Sequence, residues 1–260
     1  MNRLYIVACA AFVTLCGVGT AVTAGVLDDI KSRGVVRVAV GEDFQPFGGV
    51  GPDMKPMGYD VDVANHLGEK LGLGVELVPV INANRIPSLQ TGKVDIIVST
   101  LGKTAEREMV LDFTQPYGLM FNAVFAPSNI QINDAAELSG KTIGVTRGTI
   151  IDIELSKIVP SDATIKRFED EDKTTSAFLS GQVDAIGTVD LAVKALIKKN
   201  PVRVPEVKFI INRSPLYIGL PKGEVPLREA IDAVLTEMKA DGSLNAISEK
   251  WLGEPLPDDL

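Results

Sequence analysis

The segment Ser99-Thr100-Leu101-Gly102-Lys103-Thr104-Ala105-Glu106-Arg107 gathers hydroxyls, a glycine and an arginine at the end of an apolar run, Val94–Ser99. A planar guanidinium binds a carboxylate through two parallel hydrogen bonds, which fixes orientation as well as charge. The plainer alternative is a solvated helix arginine paired with Glu106 or Glu108, because surface ion pairs are common. A second segment, Arg147-Gly148-Thr149-Ile150, reads as the opening of a helix. Unsatisfied N–H groups at a helix start, at the positive end of its dipole, suit a carboxylate. Arg147 beside them either reads a ligand side chain or pairs with Asp152. Asp43 and Glu42 place negative charge in an acidic, Pro-flanked loop; Asn82, Asn84 and Arg85 follow a strand end, where they can read a polar group. Asn84 can equally cap the helix that follows.

Other chemistries find no support. His66 is the one histidine and falls on the outer side of its helix, and a metal site needs several ligands. Gly140-Lys141-Thr142 resembles the end of a phosphate-binding loop, but Ala135 stands where its first glycine belongs, and a strand follows. No Gly-x-Ser-x-Gly nucleophile motif occurs. No cofactor and no metal is implied.

The first 24 residues read as a secretory signal peptide: a basic start at Arg3, an apolar run from Leu4 to Cys16, and small residues at Val22-Thr23-Ala24. The run falls short of the ~20 residues that span a bilayer. Ile6-Val7-Ala8-Cys9 loosely fits a lipoprotein cleavage site, but the apolar core before Cys9 is too short. Cys9 and Cys16 are the two cysteines of the chain, so the exported protein has no disulfide or thiolate ligand. The whole chain carries 26 basic and 34 acidic residues, and loss of Arg3 takes the net charge from −8 to −9. An acidic exported product is a poor partner for nucleic acid or for an anionic membrane surface. No later stretch is long enough to insert in a membrane, and in a bacterium with two membranes the expected location is the periplasm.

The elements that must position these residues alternate in type. Val35–Val40 reads as a buried strand, Asp60–Leu71 as a helix with Val63, Leu67 and Leu71 on one face, Glu76–Val80 and Val94–Ser99 as strands, and Pro87 suits a first helical turn. This is an α/β pattern with a largely parallel sheet. The pattern then recurs. Gly34–Gly41 has a partner in Gly140–Arg147, and Leu89–Ile97 in Phe178–Ile186, with Asp95 and Asp184 at matching places. Two lobes of like topology follow. Ligands on open α/β sheets sit beyond the carboxyl ends of the strands, here Gly41–Phe44, Ser99–Gly102, Thr146–Ile150 and Thr188–Asp190. A cleft between two lobes gathers all four. Leu227–Trp251 is helical in pattern with a break at Asp241-Gly242.

The stretch Gly58-Tyr59-Asp60-Val61-Asp62-Val63-Ala64-Asn65-His66-Leu67-Gly68 resembles the signature of family 3 extracellular solute-binding proteins, the binding components of bacterial polar amino-acid ABC importers. Asp43–Gly48, Arg85–Asp95, Ser99–Arg107, Asp112-Phe113-Thr114, Gly140–Val145 and Lys239–Gly253 continue the likeness in order along nearly the whole exported chain. The resemblance implies a periplasmic-binding-protein-like bilobal fold (type II), with two α/β lobes joined by two crossing strands. Lobe one takes residues 25–118 and 221–260, lobe two residues 123–212, and the hinge residues 119–122 and 213–220. It implies that Arg107 holds a ligand α-carboxylate, with Ser99 and Thr100 beside it and the Gly102 amide assisting, that Phe44 stacks on the ligand, and that the amides of Thr149 and Ile150 close over it. A core phenylalanine is the other reading of Phe44. One departure stands out: many relatives carry an aspartate for the ligand ammonium where this chain has Val189, with Asp190 next. Strand side chains alternate in direction, so either Asp190 takes over, or Asp43 does, or the solute is not an ordinary α-amino acid. The expected partners are a small polar amino acid or related carboxylate and the membrane subunits of an ABC permease, with the binding protein a monomer. No enzymatic activity is expected; the alternative is a cyclohexadienyl-dehydratase-like enzyme on the same fold.

Overall fold

The computed structural model describes residues 25–260, and the expected signal peptide lies outside them. The first half of the chain runs α1 (Val26–Arg33), β1 (Val35–Gly41), the short pair β2 (Gly49–Val50) and β3 (Pro56–Met57), α2 (Tyr59–Leu71), β4 (Gly74–Val80), α3 (Arg85–Gln90), β5 (Ile96–Leu101), α4 (Ala105–Glu108) and β6 (Leu111–Ala126). The second runs β7 (Thr142–Thr146), α5 (Ile150–Ile158), β8 (Thr164–Phe168), α6 (Glu171–Leu179), β9 (Ala185–Val189), α7 (Asp190–Ile197), β10 (Glu206–Pro221), α8 (Val225–Ala240) and α9 (Ser243–Leu252).

One continuous sheet has the order β4-β1-β5-β10-β6-β9-β7-β8. Its outer strands are parallel within each half: β1 pairs with β4 and β5, and β7 with β8 and β9. The two centre strands, β6 and β10, are 16 residues each and antiparallel, in register from Leu111↔Pro221 to Ala126↔Glu206. Each serves both halves. Tyr217 and Gly219 of β10 pair with β5, whereas Asn122–Phe125 of β6 pair with β9. The chain therefore crosses twice between two α/β halves, which is the bilobal architecture. Register shifts along the β6–β10 ladder, one of them between Leu216 and Tyr217, let the shared ribbon twist where one half gives way to the other.

The apolar run of β1 is buried on both faces, as a parallel strand covered by helices must be. Val36, Val38 and Val40 share one apolar cluster with Val61, Ala64 and Leu67 of α2 and Ile231 and Leu235 of α8, while Ala39 belongs to a second one with Leu89, Ile97 and Leu101. Each such aliphatic side chain contributes about 1.5–3 kcal/mol by leaving water. The internal repeat is physical. Asp95 accepts from the Arg37 amide at 2.7 Å and donates its own amide to the Arg37 carbonyl at 2.8 Å. Asp184 clasps Thr142 in the same two-point way, at 2.8 Å and 2.8 Å. Gly92 and Gly181, three residues before each aspartate, both take a left-handed φ of +68° and +77°. At the other end of the chain, the break at Asp241-Gly242 separates α8 from α9, and the Trp251 indole N–H donates to Asp62 of α2 at 2.7 Å, tying the last helix to the first half.

Candidate functional site

The carboxyl ends of the parallel strands from both halves converge on one cleft. From the first half, the loop after β1 is tight: the Phe44 amide donates to the Gly48 carbonyl at 2.8 Å and the Gly48 amide returns to Phe44 at 2.9 Å. A Cβ at Gly48 would lie 2.4 Å from the Gly41 carbonyl oxygen, so that position admits only glycine. Phe44 is 8 % exposed and stacks on Phe47 with ring centres 5.5 Å apart; Phe47 meets Tyr59 edge-on, and Tyr59 stacks on Tyr117. This row of rings anchors Phe44 to the core while one side of it lines a cavity of 420 Å³ between the halves.

The end of β5 is set by two buried groups of opposite charge. Asp60, at the start of α2, accepts from the Thr100 amide at 2.9 Å and from the Tyr117 hydroxyl at 2.7 Å. Arg85 donates to the Ser99 carbonyl at 2.6 Å, to the Thr100 carbonyl at 3.4 Å and to the Asn82 carbonyl at 3.1 Å. Between them Thr100 is held at φ +43°, a left-handed conformation that costs a β-branched residue on the order of 1–3 kcal/mol. Burial pushes the Asp60 carboxyl up to about 7, against the pull of Tyr117, the Thr100 amide and Arg85. Burial also lowers Arg85 to about 9, and the neighbouring Arg107 adds to the fall.

Arg107 sits on α4, whose first turn is capped by the Thr104 hydroxyl. It is 6 % exposed and pairs with neither Glu106 nor Glu108. Its guanidinium instead donates to the Gly102 carbonyl at 2.7 Å and, across the cleft, to the Gly148 carbonyl at 2.8 Å. Arg85 reaches that same Gly148 oxygen at 3.4 Å. Two buried guanidiniums thus converge on one neutral oxygen beside a 230 Å³ cavity, and burial lowers Arg107 to about 10. Such a centre has positive charge to spare and is built to take an anionic oxygen.

From the second half, Thr149 caps α5 by accepting from the Asp152 amide at 3.1 Å. Ile150 is buried and presses on Gly102, where a Cβ would lie 2.8 Å from its side chain. Asn82 directs its amide to Glu171 at 3.4 Å, and Asp43 accepts from the Glu171 amide at 2.6 Å. Asp43, Phe44, Asn82, Arg85, Ser99, Thr100, Gly102, Arg107, Thr149 and Ile150 therefore share one interlobe region. Asn84 holds the N-cap position of α3 without a side-chain hydrogen bond.

Two expected residues lie elsewhere. Arg147 is exposed, and Asp152 pairs with Arg167 at 2.7 Å rather than with Arg147. Both faces of β7 are buried through Val145 and Thr146, and Arg147 stands one residue past the strand's end, where that cover stops. Asp190 does not enter the cleft. Val189 is buried, and Asp190 accepts from the Phe121 amide at 3.3 Å, faces Lys194 at 3.5 Å and lines a separate 460 Å³ cavity behind the crossing strands. Of the three answers to the Val189 departure, takeover by Asp190 is excluded by this geometry.

Two residues of the site were not singled out from sequence. Asp60 sits inside the Gly58–Gly68 signature, but an acid in a first helical turn ordinarily reads as a surface complement to the helix dipole. Glu171 has the same disguise: it opens α6 within an acidic run, Glu169–Asp172, yet it is 7 % exposed and burial pushes its carboxyl up to about 8.

The chain matches the family model of bacterial extracellular solute-binding proteins, family 3, over residues 36–254. It belongs to that family. Among curated relatives, the L-cystine-binding protein TcyJ of Escherichia coli (strain K12) is 29% identical over 231 residues, covering 88% of this chain and 86% of its own. Among solved structures, a mutant of ArgBP from T. maritima superposes with TM-score 0.81 at 31% identity, covering 88% of this chain and 100% of that one. The ancestral amino acid-binding protein AncCDT-1, a precursor of cyclohexadienyl dehydratase, superposes with TM-score 0.80 at 30% identity, covering 87% of this chain and 99% of that one. The named relatives are binding proteins, and so is this family 3 chain: a solute-binding protein rather than an enzyme. The dehydratase alternative is reduced to a likeness with an ancestor that is itself described as amino-acid-binding.

Proposed function

We propose that this family 3 protein is the periplasmic binding component of an amino-acid ABC importer, which captures a polar amino acid or similar small carboxylate between its lobes and delivers it to a membrane permease as a monomer. Lobe one takes residues 25–118 and 221–260, lobe two residues 123–212, and residues 119–122 and 213–220 form the hinge. The carrying observation is Arg107: a buried guanidinium without a carboxylate partner, bonded to Gly102 of its own lobe and to Gly148 of the other. A ligand carboxylate replaces the Gly148 carbonyl as acceptor and adds full charge to both bonds. Residues 1–24 direct export as a cleaved signal peptide.

Closure follows from the same contacts. Open, the protein offers the ligand Phe44, Thr100, Gly102 and Arg107 on lobe one. Closed, it adds the α5 amides and removes water, which strengthens each charged contact. The solute shifts the population toward the closed form because only that form gives both sets.

A thermal-shift screen of the twenty amino acids, L-cystine, polyamines and small organic acids tests this reading. Selective binding to the folded state raises the melting temperature by mass action. An α-amino acid is expected among the hits, and the shift is expected to vanish in Arg107→Ala. A screen in which only molecules lacking a carboxylate respond, or an Arg107→Ala protein with wild-type affinity by calorimetry, refutes the assignment.

A further inference from the structure

With Val189 in place of an acid and Asp190 behind the crossing strands, the cationic end of a zwitterion has to be received by other groups. The 420 Å³ cavity offers one arrangement. Glu171 lines it from lobe two and Asp43 and Phe44 from lobe one, together with Thr188 and Leu196; Lys199 also lines it, without an ion pair to either acid. Glu171 is 7 % exposed, and its carboxyl has only neutral hydrogen-bond partners, the Asn82 amide at 3.4 Å and the Thr146 hydroxyl. Neither acid has a basic ion-pair partner among the described residues. Arg85 acts on Glu171 through its field but spends its N–H groups on carbonyls. The surrounding charges on Asp43 are Glu42, Asp170 and Asp172; Glu171 meets Asp43 and Asp170. Two adjacent carboxylates in a desolvated cleft oppose each other unless one holds a proton or a cation enters.

Resting on the amino-acid reading above, we propose that Glu171 and Asp43 form the cation-binding pole of the cleft and receive an ammonium or guanidinium group of the solute in this cavity. Asn82 sits at the boundary of the two poles. It lines the 230 Å³ cavity with Arg107, and its amide reaches Glu171. A solute with a carboxylate at Arg107 and a cation beyond Asn82 is matched at both ends, and the Phe44 ring adds a cation–π surface. Asp43 and Glu171 come from opposite lobes and already touch through the Glu171 amide at 2.6 Å, so a cation between them also holds the lobes together.

Proton release is the specific signature. Without solute, burial and Asp43 hold the Glu171 carboxyl up at about 8, so it is largely protonated at pH 7. An entering cation favours the ionised form, expels the proton and makes affinity rise with pH up to about 8. The test is calorimetry at pH 6 to 9, in buffers of differing ionisation enthalpy, with the strongest cationic and the strongest neutral amino-acid hit of the thermal-shift screen. The proteins are the wild type, Glu171→Gln and Asp43→Asn. Glutamine is nearly isosteric with the protonated carboxyl, so the fold is retained.

Wild-type protein is expected to release up to one proton per ligand at pH 7. Glu171→Gln is expected to bind roughly 10- to 100-fold more weakly and to release none. Equal losses for cationic and neutral amino acids assign the pole to the α-ammonium; a loss confined to the cationic one assigns it to the side chain. Wild-type binding that Glu171→Gln leaves unchanged in both affinity and proton count overturns this proposal while sparing the amino-acid reading. A screen with no amino-acid hit overturns both.

Discussion

Acidifying the ligand-free protein from pH 7 to pH 6 is expected to stabilise it, against the usual trend for a carboxylate-rich chain. Asp60 and Glu171 are the reason. Burial raises Asp60 from 3.8 to about 7 and Glu171 from 4.5 to about 8. In the unfolded chain both are ionised at pH 6 to 7; in the folded protein both hold protons over much of that range. Folding therefore takes up protons, and a group raised in the folded state loses its contribution as pH climbs from the unfolded pKa through the folded one. Each fully linked proton is worth about 1.4 kcal/mol per pH unit. With Asp60 partly and Glu171 almost fully protonated, the gain from pH 7 to pH 6 is about 2 kcal/mol, or a rise in melting temperature of roughly 4–8 °C for a chain of this size. The carboxyls shifted down, Asp112, Asp170 and Asp241 among them, titrate below 3.8 and do not interfere in this window. Asp60→Asn, neutral throughout, is expected to remove somewhat under half of the slope. Scanning calorimetry across pH 5 to 8 measures it. A wild-type melting temperature that is flat or falls from pH 7 to pH 6, or a slope that Asp60→Asn leaves untouched, refutes the linkage.

Three further outcomes are expected. Gly48→Ala places a methyl 2.4 Å from the Gly41 carbonyl oxygen and is expected to destabilise by more than about 2 kcal/mol and to loosen Phe44, read as a lower melting temperature and weaker ligand binding together. Asp184→Ala strands the Thr142 amide at a cost of about 1–3 kcal/mol, whereas Asp95→Ala also unpairs Arg37 and is expected to cost more; denaturant titration ranks the two, and the reverse order is incompatible with the clasp geometry. Trp251→Phe keeps most of the packing but removes the bond to Asp62, so a loss of about 1 kcal/mol is expected by denaturant unfolding, with solute affinity unchanged because the contact is remote from the cleft.

Periodicity and composition were enough to place several of the elements, because burial leaves a local imprint. A both-face-buried strand must read as Val35–Val40 does, and the amphipathic spacing of Asp60–Leu71 admits only a helix. The repeat was equally legible, since the same clasp at Asp95 and Asp184 needs the same residue and a preceding left-handed glycine. Arg107, Phe44 and the Ser99–Gly102 segment could be placed at strand ends, where open sheets expose backbone groups. The direction in which a side chain leaves a strand end, and the depth at which an acid at a helix start is buried, have no local signature. Arg147 turned outward, Asp190 turned behind the crossing strands, and Glu171, written like a surface dipole complement, turned into the cleft. Those outcomes depend on how the second half packs against the first, through contacts between residues over a hundred positions apart such as Asp43 and Glu171. Local sequence determines which groups are available; the distances that make them a site arise only when the two halves meet.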